Sequence, residues 1–186
     1  MADAEVRTAA LSDAAEIARL QLSTWRTAYA RLLPDDVLAG VDETATRESW
    51  AEALRGGQVT VLLATEGGEP VGFCAAGRAP AAESASADGT PAPDEDEVAL
   101  VSALLVEPRW GRRGHGGRLL ATMAQRLAAD GATRGITWVP EGDEASLAFF
   151  AHAGWEADGT VRTLDAGGRP VRELRLTGSL DLRLAH

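Results

Sequence analysis

Nine residues, Trp110 to Arg118 ("WGRRGHGGR"), hold four glycines and three arginines. Glycine reaches positive φ easily and lets an anion approach backbone N–H groups without meeting a Cβ. The apolar strand pattern "EVALVSALLVEP" precedes the stretch, and "GRLLATMAQRLAADG" follows it with Leu119, Leu120, Met123 and Leu127 on one helical face. Strand, glycine-rich turn and helix start make an anion site. The first helical N–H groups lack intrahelical partners and carry the positive end of the dipole. A phosphate is what such a turn would hold; a solvated basic loop is the alternative.

Two glycine motifs fail to fit. The P-loop needs Lys followed by Ser or Thr, and the chain has no lysine. A G-x-G-x-x-G pattern from Gly114 would need glycine where Leu119 stands.

The elements that must position this turn are legible in outline. "EVRTAA" (5–10) predicts a strand. "LSDAAEIARLQLSTWRTAYARLLP" predicts a helix capped by Ser12 or Asp13 and running to Pro34. A second helix, "DETATRESWAEALRGG", stops at Gly56 and Gly57. "QVTVLLAT" and "PVGFCAAG" form a hairpin about "EGGE". After the central strand and helix come a strand "RGITWVP", a short helix capped by Asp143 and ended by Gly154, and two strands about Gly167-Gly168. The order predicts one α/β domain, residues 1–178, with a mixed central sheet and a tail at 179–186. Residues 79–96 hold three prolines among small and acidic residues, which predicts a flexible insert, with a mobile lid as its functional alternative.

Composition narrows the chemistry. With 186 residues and 45% hydrophobic content, the chain can bury a real core. A net charge of −10 disfavours nucleic acid as main partner. Cys74 is the only cysteine, and His115, His152 and His186 are scattered, so no metal site is expected. Without a long apolar run or a signal-peptide pattern after Met1, the expectation is a cytoplasmic protein that does not enter membranes.

The run "LLVEPRWGRRGHGGRLL" resembles the coenzyme A loop of the GNAT superfamily of N-acetyltransferases. Val106, Pro108, Trp110, Gly114, Gly116, Leu119 and Leu120 fall on the places of its pattern, and Gly111 stands where the family has Gln or Arg. "WVPEGDEASLAFFAHAGW" resembles a later segment of that family through Trp138, Val139, Glu141, Phe149 and Gly154. "STWRTAYARLLP" resembles the first helix of one branch.

The resemblance implies a GNAT fold, acetyl-CoA as cosubstrate and an amine of a small molecule, peptide or protein as acceptor. It implies that amides of Arg112, Arg113, Gly114, His115, Gly116 and Gly117 bind the pyrophosphate, with Arg118 beside them. Leu104, Leu105 and Val106 would pair with the pantetheine arm, and Asp143 and Phe150 would lie along the cofactor. Trp25, Tyr29 and Trp138 would border the acceptor. The family's usual base falls at Leu100 and its usual acid at Phe150, neither of which carries a proton. Tyr29, the only tyrosine, is then the one phenol that could act as acid, and Glu141 could orient an amine. Asp143, in place of an asparagine, is equally explained as a helix cap. A CoA-binding regulatory protein without turnover is the second reading. A homodimer is compatible with the sequence.

Overall fold

The computed structural model describes residues 3–182. Its seven strands are β1 (Ala4–Thr8), β2 (Val59–Glu66), β3 (Glu69–Arg78), β4 (Val98–Val106), β5 (Arg134–Pro140), β6 (Glu156–Ala166) and β7 (Arg169–Ser179). They form one sheet in the order β1-β2-β3-β4-β5-β7-β6, in which only the β4–β5 pair is parallel. The helices are α1 (Ala14–Ala28), α2 (Asp35–Ala39), α3 (Glu43–Gly56), α4 (Ala81–Ser84), α5 (His115–Ala129) and α6 (Glu144–His152).

Period-two alternation on β2 and β3 builds two cores at once. Leu62, Ala64, Cys74 and Ala76 pack under Leu119, Leu120 and Met123 of α5. Val61, Leu63, Phe73 and Ala75 pack under Ile17 and Leu20 of α1 on the other face. Gly67 and Gly68, at φ 60° and 84°, supply the left-handed turn joining these strands. Gly135 and Gly178 pair across β5 and β7, and a Cβ on either would overlap the indole of Trp155, so the two glycines make its slot.

Three sequence expectations need correction. First, α1 ends at Ala28 and does not run to Pro34. Pro34 disfavours the helical region for Leu33, and the amides of Leu32 and Leu33 both turn back to the Tyr29 carbonyl at 2.9 Å. Second, residues 79–96 are tied down. Ala79, Ser84 and Ala92 are buried. The buried Arg175 of β7 donates to the Glu83 and Ala85 carbonyls at 2.9 and 2.6 Å, and Arg134 of β5 grips Asp94 at 2.6 Å. The partners are arginines on distant strands, which local composition cannot register. Third, β7 extends to Ser179 and Leu180 is buried in the Trp155 cluster, so the expected tail begins too early. Residues 1–2 and 183–186, with His186 and the start of the N-terminal pattern, lie outside the described residues.

Candidate functional site

Strands β4 and β5 run side by side only where Val98 to Leu100 pair with Arg134 to Ile136. Two local features part them. Ser102 is the extra residue of a β4 bulge, since Ala75 pairs with Ala103 while Ala76 pairs with Val101. On β5, the buried Thr137 turns its hydroxyl to the Val101 carbonyl at 2.8 Å. A side chain thus ends the ladder. Beyond it, the β5-facing edge of Ala103 to Val106 has no strand partner among the described residues.

A cleft of about 560 Å³ opens at this fork. Leu104 and Leu105 form one wall and Trp138 and Val139 the other. Trp25 and Tyr29 from the end of α1 and Leu164 and Val171 from the β6–β7 hairpin close the outer end. A Cβ on Gly167 would overlap Val37 of α2, so the hairpin turn and the α1–α2 segment touch across it.

At the exit of β4, the buried Glu107 carboxylate accepts from Arg109 Nε at 2.7 Å, Ser23 Oγ at 3.1 Å and Arg19 Nη1 at 2.9 Å. Burial raises its proton affinity, but these donors outweigh burial and hold the carboxyl below its ordinary range. Glu107 therefore ties the strand end to α1. The chain then turns through Arg112, at φ 61° the only non-glycine residue with positive φ among the described residues, and Gly114, at φ 81°. Arg118 N donates to the Gly114 carbonyl at 3.0 Å and begins the α5 ladder. The amides of His115, Gly116 and Gly117 precede it and are the helix's unpartnered start. A Cβ on Gly116 would come within 3.2 Å of Phe149 and 3.8 Å of Leu104, so this start abuts the cleft wall.

His115 is buried, not solvent-facing as a loop histidine is expected to be. Its Nδ1 lies 3.2 Å from Arg118 Nη2 and its Nε2 lies 2.6 Å from Glu66 Oε2. A guanidinium only donates, so Nδ1 accepts and Nε2–H donates to Glu66. Arg113 donates to the other Glu66 oxygen at 2.9 Å and stacks over Trp110. Burial works against ionisation of Glu66, yet the bonds from His115 and Arg113 prevail and hold its carboxyl below the ordinary range. The side chains of Arg113 and His115 brace the turn against β2. Their amides remain available. Arg112 is exposed and has no carboxylate partner among the described residues. Open amides, Cβ-free positions at Gly114 and Gly116, a free guanidinium and an open strand edge fit a pyrophosphate carrying an extended arm.

The acetyltransferase (GNAT) family model matches residues 16–155. The chain belongs to the GNAT acetyltransferase family. A Bacillus subtilis protein named as an uncharacterized N-acetyltransferase, YuaI, is 28% identical over 149 residues, covering 80% of this chain and 78% of that one. The fold matches the PaiA N-acetyltransferase of Thermoplasma acidophilum in complex with coenzyme A, at 14% identity, TM-score 0.69 and coverage of 95% and 99%. It matches equally an acetyltransferase of Salmonella typhimurium with its cofactor acetyl-CoA, at 17% identity, TM-score 0.69 and coverage of 99% and 98%. Membership gives the activity class, acetyl-CoA-dependent N-acetyl transfer.

Within this GNAT cleft the predicted residues divide. Leu104, Leu105, Asp143, Phe150, Trp25, Tyr29 and Trp138 all line it. Val106 packs against the core beside it, and Leu100 packs with Ala79, Val98 and Ile136 away from it. Glu141 does not line it. That residue is exposed, faces Arg172 at 3.7 Å and sits on a separate shallow surface, which removes it as the group that orients an amine in the cleft. The nearest carboxylates to position 100 are also turned away, Asp96 to Arg78 and Glu97 to the Thr133 hydroxyl. Asp143 caps α6 by accepting from Ser146 N at 3.1 Å and Ser146 Oγ at 2.7 Å. Burial, the Asp143 carboxylate and Glu173 push the Tyr29 phenol well above its usual range. Sequence reasoning missed Ser102, Asp165 and Glu173 in the cleft and Glu66 behind the turn. No local motif marks them; a bulge, a hairpin turn and a contact spanning 49 positions bring them there.

Proposed function

We propose that this GNAT protein transfers an acetyl group from acetyl-CoA directly to the amine of a small-molecule or peptide acceptor, without a covalent enzyme intermediate. The observation that carries the reading is the fork between β4 and β5 meeting the unpartnered start of α5. Acetyl-CoA supplies an activated acetyl carbonyl and a thiolate leaving group. The amides from Arg112 to Gly117 cradle its pyrophosphate, and Arg112 and Arg118 add positive charge beside it. The open edge at Leu104, Leu105 and Val106 receives the extended arm as an added strand would be received. A backbone N–H near Leu105 stabilises the developing oxyanion.

The acceptor nitrogen bonds to the carbonyl carbon as the carbon–sulfur bond breaks, and the nitrogen's proton leaves to water. No carboxylate takes the place of a base at Leu100, so the amine reacts in its neutral fraction. A thiol of pKa about 8.5 leaves tolerably as thiolate beside a helix N-terminus, which makes Phe150 compatible with turnover. Accordingly, kcat/KM for the amine should rise about tenfold per pH unit below the amine's own pKa. Thiol release from acetyl-CoA across simple amines, polyamines, aminoglycosides and peptides tests the reading. Calorimetric CoA binding with no release on any acceptor would favour the binding-protein reading that Leu100 and Phe150 support.

A further inference from the structure

Among the described residues, the cleft is lined by three carboxylates and by no arginine or histidine. Glu173 is neutralised, since Arg162 Nε donates to it at 2.6 Å. The other two are not. Among the described residues, Asp165 accepts only from the Gly168 amide at 2.6 Å, and Asp143 only from Ser146, with Tyr29 lining the same cleft. Carboxylates whose only partners are neutral leave a local deficit of positive charge. A ligand cation satisfies it.

The rest of the outer cleft has the opposite character. Leu32, Leu33, Val37, Leu164 and Val171 meet the rings of Trp25, Trp50 and Trp138. The polar atoms of two of those rings are already occupied. Trp138 Nε1 donates to Glu83 at 2.6 Å and Trp50 Nε1 donates to Gln21 at 2.6 Å. The indoles therefore present apolar faces, suited to an uncharged body and to cation–π contact with an ammonium. Among the described residues, this wall offers no arginine or histidine to pair with a carboxylate or a phosphate.

We infer that the acceptor is a small primary amine with an alkyl or aryl body and no acidic group, its ammonium resting on Asp143. The inference rests on the transferase reading for turnover, but recognition of the amine is separable from it. Amines paired by one group provide the test: 2-phenylethylamine, phenylalanine, which adds a carboxylate to the same body, and glucosamine, which keeps the amine on a polar body. Each is titrated calorimetrically into the protein saturated with CoA, and thiol release is measured in parallel.

The expected result is binding of phenylethylamine at least tenfold tighter than either of the others. Asp143→Asn keeps a cap for α6 and removes the charge. It should weaken phenylethylamine binding at least tenfold and not weaken phenylalanine. Equal or tighter binding of phenylalanine or glucosamine overturns the inference. So does a variant that weakens all three alike, or tight binding only to a peptide N-terminus. Asp143-dependent binding of phenylethylamine with no acetylation of any amine would uphold the inference and overturn the transferase reading.

Discussion

At φ 81°, Gly114 holds a backbone conformation that costs an L side chain roughly 1–2 kcal/mol. A Cβ there would also sit 3.2 Å from Arg118 Nη1, disturbing the guanidinium that positions His115. Gly114→Ala should therefore lower stability by about 1 kcal/mol and weaken CoA binding about tenfold. Calorimetry showing unchanged CoA affinity would remove the α5 start as the cradle. Tyr29 makes a contrasting case. A phenol whose pKa rises above its usual range is poorly matched to a departing thiolate of pKa about 8.5, so its value lies in facing Asp143. Tyr29→Phe should raise the amine KM several-fold and leave kcat within about threefold. A hundredfold loss of kcat would reinstate Tyr29 as the acid.

The fork between β4 and β5 is an element-scale device built by one bulge and one hydroxyl. Just past the last paired position, Leu100 with Ile136, Thr137 Oγ1 takes the Val101 carbonyl that a further ladder bond would have used. Thr137→Val keeps the shape, removes that bond and leaves the buried carbonyl short of a donor, at a cost of about 1–2 kcal/mol. Urea denaturation should register the loss, and CoA affinity should fall with it if the fork sets the arm's place. The element containing α4 teaches a related lesson. Its acidic residues look solvated in sequence, yet Glu83 and Asp94 are the counterparts of Trp138, Arg162 and Arg134. Through Glu83 and Trp138, the 79–96 segment supports one wall of the cleft.

Across the whole molecule, Asp13, Glu66, Asp94 and Glu107 all titrate below their ordinary ranges, the last three holding the turn, the 79–96 segment and the strand end to their neighbours. Folded pKa values below unfolded ones mean stability that is complete above the unfolded range, about 4 for carboxylates, and lost as pH falls through the folded values. Melting temperature should be flat near neutrality and fall steadily below about pH 4. Glu107→Gln should lower the neutral plateau and flatten the acid slope; an acid slope identical to the wild type would show that Glu107 is not among its sources. The same scale separates what could be read from the chain alone. The glycine-rich turn after "LLVEP", the two-period strands and the capped helices depend on interactions within a few residues, so sequence alone determined the α/β order and the strand, glycine-rich turn and helix start that carry the family resemblance. The bracing of that loop by Glu66, the burial of His115, the packing of residues 79–96 and the position of Glu141 outside the cleft depend on residues tens of positions apart. Only the tertiary structure decided those, because spacing along the chain carries no record of which charge a folded sheet will bring to which.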